Sequence, residues 1–206
     1  MLIADEELMV QFKSGDMGAF ELIVRRYQNQ MVSYIAHVIG DQHRAEDLAQ
    51  ETFLRVLNSV RRYQTKGYFK NWLYLIATNL CRNEIRNRKR QSTDVFSNLN
   101  LEQHEPSADH VVSIIENLLS DTRYLPDRLY EQKEREQMIR QQVNNLPENQ
   151  RLSLVLVTYQ ELSYQEVGAI IGCSVSAVKS LVHRARQNLK RKLIEVGVEE
   201  SYNAKI

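Results

Sequence analysis

Glycine and proline are scarce in this chain, at 7 and 3 of 206 residues, and no stretch alternates apolar and polar with a period of two. Few turn-formers and no strand period exclude a β-sandwich or barrel. Cys81 and Cys173 are too few for a disulfide framework or a thiolate metal cluster, and both are expected to be small buried hydrophobes. No apolar run approaches the ~18 residues of a membrane span. The start, MLIADEELMV, lacks a basic region followed by an apolar core, so no signal peptide and a cytoplasmic location are expected. Neither sign of charge is in excess, with 27 Lys+Arg against 26 Asp+Glu. That balance excludes a uniformly basic nucleic-acid coat, so any DNA contact must come from local segregation of charge. A phosphate-binding glycine loop, a metal-ligand cluster and a nucleophile triad are also missing. Asp47 and Glu51 lie one turn apart and could mimic a metal pair, but no third ligand that completes a set is evident. No metal, cofactor, small-molecule substrate or enzymatic activity is therefore expected.

What the chain does have is helical periodicity, and the expected fold is all-α, with two small helical domains. Residues 5–90 predict four helices. Asp5 is placed to cap the first, which ends at Gly15, and Asp16 starts the second. There Phe20, Ile23, Val24, Tyr27, Met31, Tyr34, Ile35 and Val38 recur at steps of three and four, up to Gly40-Asp41. The third runs from about Gln42 to Val60 with Leu48, Ala49, Phe53, Val56 and Leu57 inward. The fourth is YFKNWLYLIATNLCRNEIRNRKR, which begins with aromatic residues and ends with arginines. Rings stack on bases that have left a duplex, and arginines neutralise phosphates, so this segment suits opened DNA. An amphipathic helix with a solvated basic end is the plainer reading of the same residues, and Trp72 fits the core better than a stacking platform.

From Gln91 to Asp121 there is no Lys or Arg, acids accumulate, and Ser, Asn and Gln are frequent. That is the composition of a linker. Within it, HVVSIIENLLS aligns Val111, Ile114, Ile115 and Leu118 on one side of a possible short helix. The expected division is a first domain over 1–90, an acidic linker over 91–128 and a second domain over 129–206.

In the second domain Pro147 suits the first turn of a helix, Ser163-Tyr164-Gln165-Glu166 is a capping box, and Gly172 is a helix stop. Ser174 can cap a longer helix in which Val175, Val178, Val182, Ala185 and Leu189 face inward. This is a helix-turn-helix, whose second helix enters the major groove. The outer side carries Ser176, Lys179, Ser180, His183 and Arg184. Between Lys179 and Lys192 there are six Lys or Arg and no acid. Lys179, Ser180, His183 and Arg184 are candidates for base edges, and Arg186, Lys190, Arg191 and Lys192 for phosphates. His183 has no metal-ligating companion one turn away.

These motifs together resemble the bacterial sigma factors of the extracytoplasmic-function (ECF) class within the sigma-70 family, especially the sigma-E-like group. The resemblance rests on GDMGAFELIVRRYQNQM, EDLAQETFLRVL, FKNWLYLIATN and LPENQRL…LSYQEVGAIIGCSVSAVKSLVHRAR, and spans about residues 5–90 and 129–193. It implies a dissociable subunit of RNA polymerase. The first domain would bind the clamp helices of the core enzyme and melt the −10 promoter element; the second would bind the flap and read the −35 element. Carried onto this chain, Asp47, Gln50, Glu51 and Phe53 match the clamp-binding helix. Tyr63 and Asn79, with Ser59 at the rim, match a pocket for a base flipped from the non-template strand, and Gln64 to Lys70 match the loop that shapes it. Arg86, Arg88, Lys89 and Arg90 would follow the adjacent backbone. The family often has Asp four residues after the helix asparagine; here Asn83 stands there, so the preferred −10 base does not carry over. Ser176, Lys179, Ser180, His183, Arg184 and Arg186 match the −35-reading helix. The resemblance places the linker toward the RNA exit path and implies an anti-sigma factor as a further partner. The alternative expectation is a stand-alone helix-turn-helix regulator with an N-terminal sensing or dimerisation domain.

Overall fold

The computed structural model describes residues 3–63, 68–96 and 138–195. Among these residues every regular element is helical: α1 (Asp5–Lys13), α2 (Met17–Ile39), α3 (Gln42–Ser59), a single 3₁₀ turn (Val60–Arg62), α4 (Phe69–Phe96), α5 (138–144), α6 (Glu148–Thr158), α7 (Tyr164–Ile171) and α8 (Val175–Glu195). No single helix among them is long and apolar enough to cross a membrane. The short helix expected around Val111–Leu118 and the loop Gln64–Gly67 lie outside the described residues.

In the first half, α1 begins after Ala4 without a side-chain cap. Asp5, expected as that cap, is engaged elsewhere, because its carboxylate accepts from Arg26 and from the hydroxyl of Tyr27 on α2. Glu6 likewise reaches across and accepts from the backbone N–H of Phe69 at 3.2 Å, satisfying an orphan donor at the start of α4. The turn between α1 and α2 follows the sequence signals, with Asp16 accepting from Gly18 N–H at 2.8 Å. Gly40 closes α2 in the left-handed region (φ 73°), and Asp41 caps α3 by accepting from Arg44 N–H at 3.0 Å. Tyr34 and Thr78, both fully buried, share a hydrogen bond of 2.7 Å that joins α2 to α4.

An ion network fastens α3 to α4. Arg44 donates to Glu84 from Nε at 3.1 Å and from its terminal nitrogen at 3.0 Å. Arg88 donates to the other Glu84 oxygen at 2.9 Å and to Asp41 at 3.0 Å. Burial pushes the Glu84 carboxyl up, but the hydrogen bonds and charges of Arg44 and Arg88 outweigh it and hold it below its ordinary value. α4 continues to Phe96, beyond the domain limit near residue 90 expected from composition.

In the second half, α7 carries the full reciprocal capping box between Ser163 and Glu166, and Gly172 ends it at φ 78°. Pro147 sits one position earlier than expected, at the N-cap of α6. α7 and α8 meet at a bend of 97°, and Ser174 caps α8 by accepting from Ala177 N–H at 3.2 Å. Gly168 makes that corner possible, because a Cβ there would lie 2.7 Å from the carbonyl oxygen of Cys173.

The halves pack on one another, α6 against α2 and α7 against α4. Arg151 of α6, 8% exposed, donates to the carbonyl of Val38 near the end of α2 at 2.9 Å, while its Nε has no partner among the described residues. Arg82 of α4 donates to Glu148 at 3.2 Å, Asn149 at 3.2 Å and the Ile171 carbonyl at 3.3 Å. Tyr74 donates to Gln160 at 2.6 Å, and the rings of His37 and Tyr159 lie 4.3 Å apart. The side-chain amide of Asn144 approaches Gly40 closely enough that a Cβ there would require that amide to move aside.

Replacing Glu84 by Gln is expected to lower stability at neutral pH by about 1–2 kcal/mol through weakened charge-assisted hydrogen bonds. Because the folded-state pKa of Glu84 is depressed, its contribution is present above the ordinary 4.5 and is lost as pH falls below it through the folded value. Urea unfolding of both proteins should therefore show a gap at neutral pH that narrows in acid. Gly168→Ala is expected to cost about 1–3 kcal/mol by forcing α7 and α8 apart, measurable as a lower midpoint by circular dichroism.

Candidate nucleic-acid interface

Three surfaces collect the residues singled out from the sequence. The first is the outer side of α8, where Ser176, Lys179, Ser180, His183 and Arg184 are all exposed and Arg186 is half-buried. Val178, Val182, Ala185, Leu189 and Leu193 pack the opposite side into the core. The 3.6-residue period thus sorts charge outward and methyl groups inward on one helix, which is anchored to α6 by Asn188 donating to Gln150 at 2.9 Å. Val175, expected to face inward, is instead 41% exposed beside Ser176, because the first residue of α8 precedes the point where the helix settles on α7.

The second surface is on α4. Asn79, Asn83, Arg86 and Arg90 are exposed and spaced by four, three and four residues, so they form one stripe along the helix. Carboxamides lead and guanidiniums follow, an order suited to a base edge next to a run of phosphates. Lys89 is also exposed. Arg88 is not part of the stripe: its guanidinium is committed to Glu84 and Asp41, so here it ties helices together rather than standing open to phosphate. Tyr63 is 4% exposed, its ring tilted on Trp72 at 4.9 Å and edge-on to Phe69 at 6.3 Å. It forms an aromatic cluster instead of a bare wall, and Trp72 lies half-buried at the cluster's margin. Ser59 is half-buried nearby in sequence, at the C-terminal end of α3. Lys13 Nζ holds the Tyr63 carbonyl at 3.1 Å. Burial pushes the Tyr63 hydroxyl above its ordinary pKa of 10.0, with Glu6 and Asp5 adding to the effect, so it stays protonated and can donate.

The third surface is the outer side of α3. Asp47 and Gln50 are exposed, and Glu51 is half-exposed and paired with Arg55 at 2.6 Å. Asp47 is 3.4 Å from Arg44. Phe53, grouped with them from the sequence, is 7% exposed and belongs to the core. Leu54 takes the outward place, 56% exposed, one turn from Gln50 and Glu51. Sequence reasoning misses it, although it is the apolar outlier on a polar stripe running 47, 50, 51, 54. Tyr68, 70% exposed just before α4, is likewise not singled out by sequence as an individual contact.

Cys81 and Cys173 belong to none of these faces. Burial pushes the Cys81 thiol up to about 12, which keeps it protonated and inert, and Cys173 is half-buried. Among the described residues no group of three or more His, Cys, Asp or Glu could hold a metal.

Comparison with known proteins converges on one group. Residues 23–91 match the family described as Sigma-70 region 2, and residues 136–189 match Sigma-70, region 4. The chain is 32% identical to the ECF RNA polymerase sigma factor SigW of Bacillus subtilis, over 89% of this chain and 93% of that protein. It is 30% identical to the RNA polymerase sigma-H factor of Pseudomonas aeruginosa, over 92% and 93% of the two chains. Among solved structures, CnrH in complex with the cytosolic domain of CnrY shares the fold with a TM-score of 0.63 at 21% identity, covering 94% of this chain and 99% of that one. RpoE in complex with the anti-sigma factor NepR from Bartonella quintana gives 0.61 at 22% identity, over 84% and 96%. With both regions present in order and relatives aligned along nearly the whole chain, the protein belongs to the ECF sigma factors of the sigma-70 family.

Proposed function

We propose that this chain binds core RNA polymerase and directs it to promoters, acting in the cytoplasm as a non-enzymatic initiation subunit. The observation that carries this reading is the exposed stripe Asn79–Asn83–Arg86–Arg90, standing in the same chain as the outward basic face of α8. One surface suits an unpaired base with its backbone, the other an intact major groove. A regulator that only bound duplex DNA would need the second alone.

In this reading residues 1–90 form the domain that binds polymerase and opens the −10 element, 91–128 the linker, and 129–206 the −35-reading domain. Asp47, Gln50, Glu51 and the exposed Leu54 meet the clamp helices: Leu54 supplies apolar contact, and the carboxylates steer and orient it. Everting a base costs a few kcal/mol, and Asn79 offsets part of that by presenting both a donor and an acceptor. Asn83 extends the same edge, while Arg86 and Arg90, with Lys89, neutralise phosphates. The half-buried Trp72, backed from inside by the buried Tyr63, bounds the pocket with Ser59 at its rim, and Phe53 and Arg88 act indirectly, by fixing α3 and α4. On α8, Lys179, Ser180, His183 and Arg184 face bases, and Ser176 and Arg186 the flanking backbone. An anti-sigma factor is a further expected partner, since sigma factors of this fold are found with such proteins.

Run-off transcription with purified core polymerase tests the reading as a whole, because a chain that never directs specific initiation is not an initiation subunit. Leu54→Asp and Glu51→Arg should each weaken core binding by about tenfold or more in a titration, with helicity unchanged. Asn79→Ala should leave binding of a −35 duplex intact while reducing permanganate reactivity of promoter thymines. Lys179→Ala should lose ~1–3 kcal/mol of discrimination at one base pair of the −35 element, seen by competition with substituted duplexes.

A further inference from the structure

Two residues of α1 bear on the base pocket without standing in it. Glu6 and Lys13 are seven positions apart, two turns of helix, so they project from the same side about 10 Å apart along the axis. Each holds main chain that belongs to the aromatic cluster of the second surface. Lys13 donates from Nζ to the carbonyl of Tyr63 at 3.1 Å, and Glu6 accepts from the N–H of Phe69 at 3.2 Å. Tyr63 leaves the 3₁₀ turn in extended conformation (φ −61°, ψ 127°), and Phe69 is the first residue of α4. Both grips carry the charge that suits their partner. A carboxylate on an N–H at a helix start meets the positive end of the helix dipole, and an ammonium on a carbonyl makes a charge-assisted hydrogen bond.

Side chains carry the hold onward. The ring of Tyr63 lies 4.9 Å from that of Trp72 and 6.3 Å from that of Phe69, and Phe69 is edge-on to Tyr27 at 5.7 Å. Tyr27 in turn donates to Asp5, the residue next to Glu6. The cluster behind Trp72 is thus tied to α1 at Asp5, Glu6 and Lys13. Asn79 has other supports, because its neighbour Thr78 is bonded to Tyr34 of α2 and Glu84 to Arg44 of α3. The aromatic side and the amide side of the pocket are therefore positioned by different helices. A base edge is read only when ring, donor and acceptor are held to within about 0.5 Å of one another's proper places. α1 precedes residues 23–91, which match Sigma-70 region 2, so its part in that geometry does not follow from the match.

We infer that Glu6 and Lys13 are positioning residues for base recognition: from α1 they set the Tyr63–Trp72 pair against Asn79, and with it the selectivity for the base everted from the −10 element. The inference rests on the sigma-factor reading above and on the base pocket within it. An electrostatic role for the same two residues makes a different forecast. Lys13 attracts DNA and Glu6 repels it, so through the field alone their removal would shift promoter affinity in opposite directions. Loss of position lowers base selectivity in both.

The test uses the full chain assembled with core polymerase, on a promoter found by run-off transcription and premelted across its −10 element. The non-template strand carries either its base or an abasic nucleotide at the position where loss of the base costs the unaltered holoenzyme most. The readout is the ratio of the two affinities, intact over abasic. Glu6→Met and Lys13→Met keep side-chain length while removing the acceptor or the ammonium. Each should lower the ratio by about threefold to tenfold, with core binding, −35 duplex binding and helicity unchanged. Glu6→Gln and Lys13→Arg keep an acceptor or donors at similar reach and should restore it. A ratio equal to that of the unaltered chain in both folded Met variants, whatever their overall affinity, would overturn the inference, as would opposite shifts in the two. Should Glu6→Met fail to fold, Lys13→Met, at an exposed residue, decides alone. An unaltered holoenzyme that binds intact and abasic strands alike at every position would remove the base pocket and this inference with it. Absence of run-off transcription by the unaltered chain would instead overturn the functional reading, so the failures are separable.

Discussion

One helix has to satisfy three neighbours at once. α4 lays Tyr74, Ala77, Thr78 and Cys81 into the interior, ties itself to α3 through Glu84 and Arg88, meets α7 through Arg82, and leaves Asn79, Asn83, Arg86 and Arg90 outside. A helix of 28 residues is about 42 Å long, enough for these demands to fall on separate faces and turns. The position of this exposed stripe follows from the other contacts: once Tyr34 holds Thr78 and Arg44 holds Glu84, the azimuth of Asn79 is no longer free. The carboxamide is aimed by packing, which is the kind of preorganisation a base pocket requires.

Charge is used differently in the two halves. In the first, arginines are mostly consumed by structure, with Arg26, Arg44, Arg55, Arg82 and Arg88 all paired with a carboxylate. On α8 the cations from Lys179 to Lys192 have no acid interspersed in sequence. A near-neutral chain can therefore present a strongly positive helix, because neutralisation is concentrated elsewhere.

Much of this was legible in the sequence. The all-α class, the capping box at Ser163, the glycine stops at 40 and 172, and the helix-turn-helix followed from period and local capping chemistry. Errors came where a local rule met a tertiary competitor. Asp5 looks like a cap by type and position, but Arg26 and the Tyr27 hydroxyl win its carboxylate from a distant part of the chain. Arg88 reads locally as one of four basic residues near the end of a helix, and its pairing with Glu84 and Asp41 is a tertiary contact that the local pattern does not announce. The helical period placed Phe53 inward, where it lies, while the resemblance also grouped it with the polymerase-facing residues; Leu54, one position on and about 100° round the helix, holds the exposed place. The packing of the halves was not foreseeable, because its partners stand some 66 to 122 positions apart and none forms a motif.

Gly40 illustrates how tightly separate demands are bound together. Its left-handed backbone ends α2, and the same missing side chain admits Asn144 from the other half. Asparagine, the usual substitute where only the turn matters, would require the Asn144 carboxamide to move aside. A change at this site therefore touches both the end of α2 and the packing of the halves, and were that packing lost the left-handed backbone would still favour glycine or asparagine.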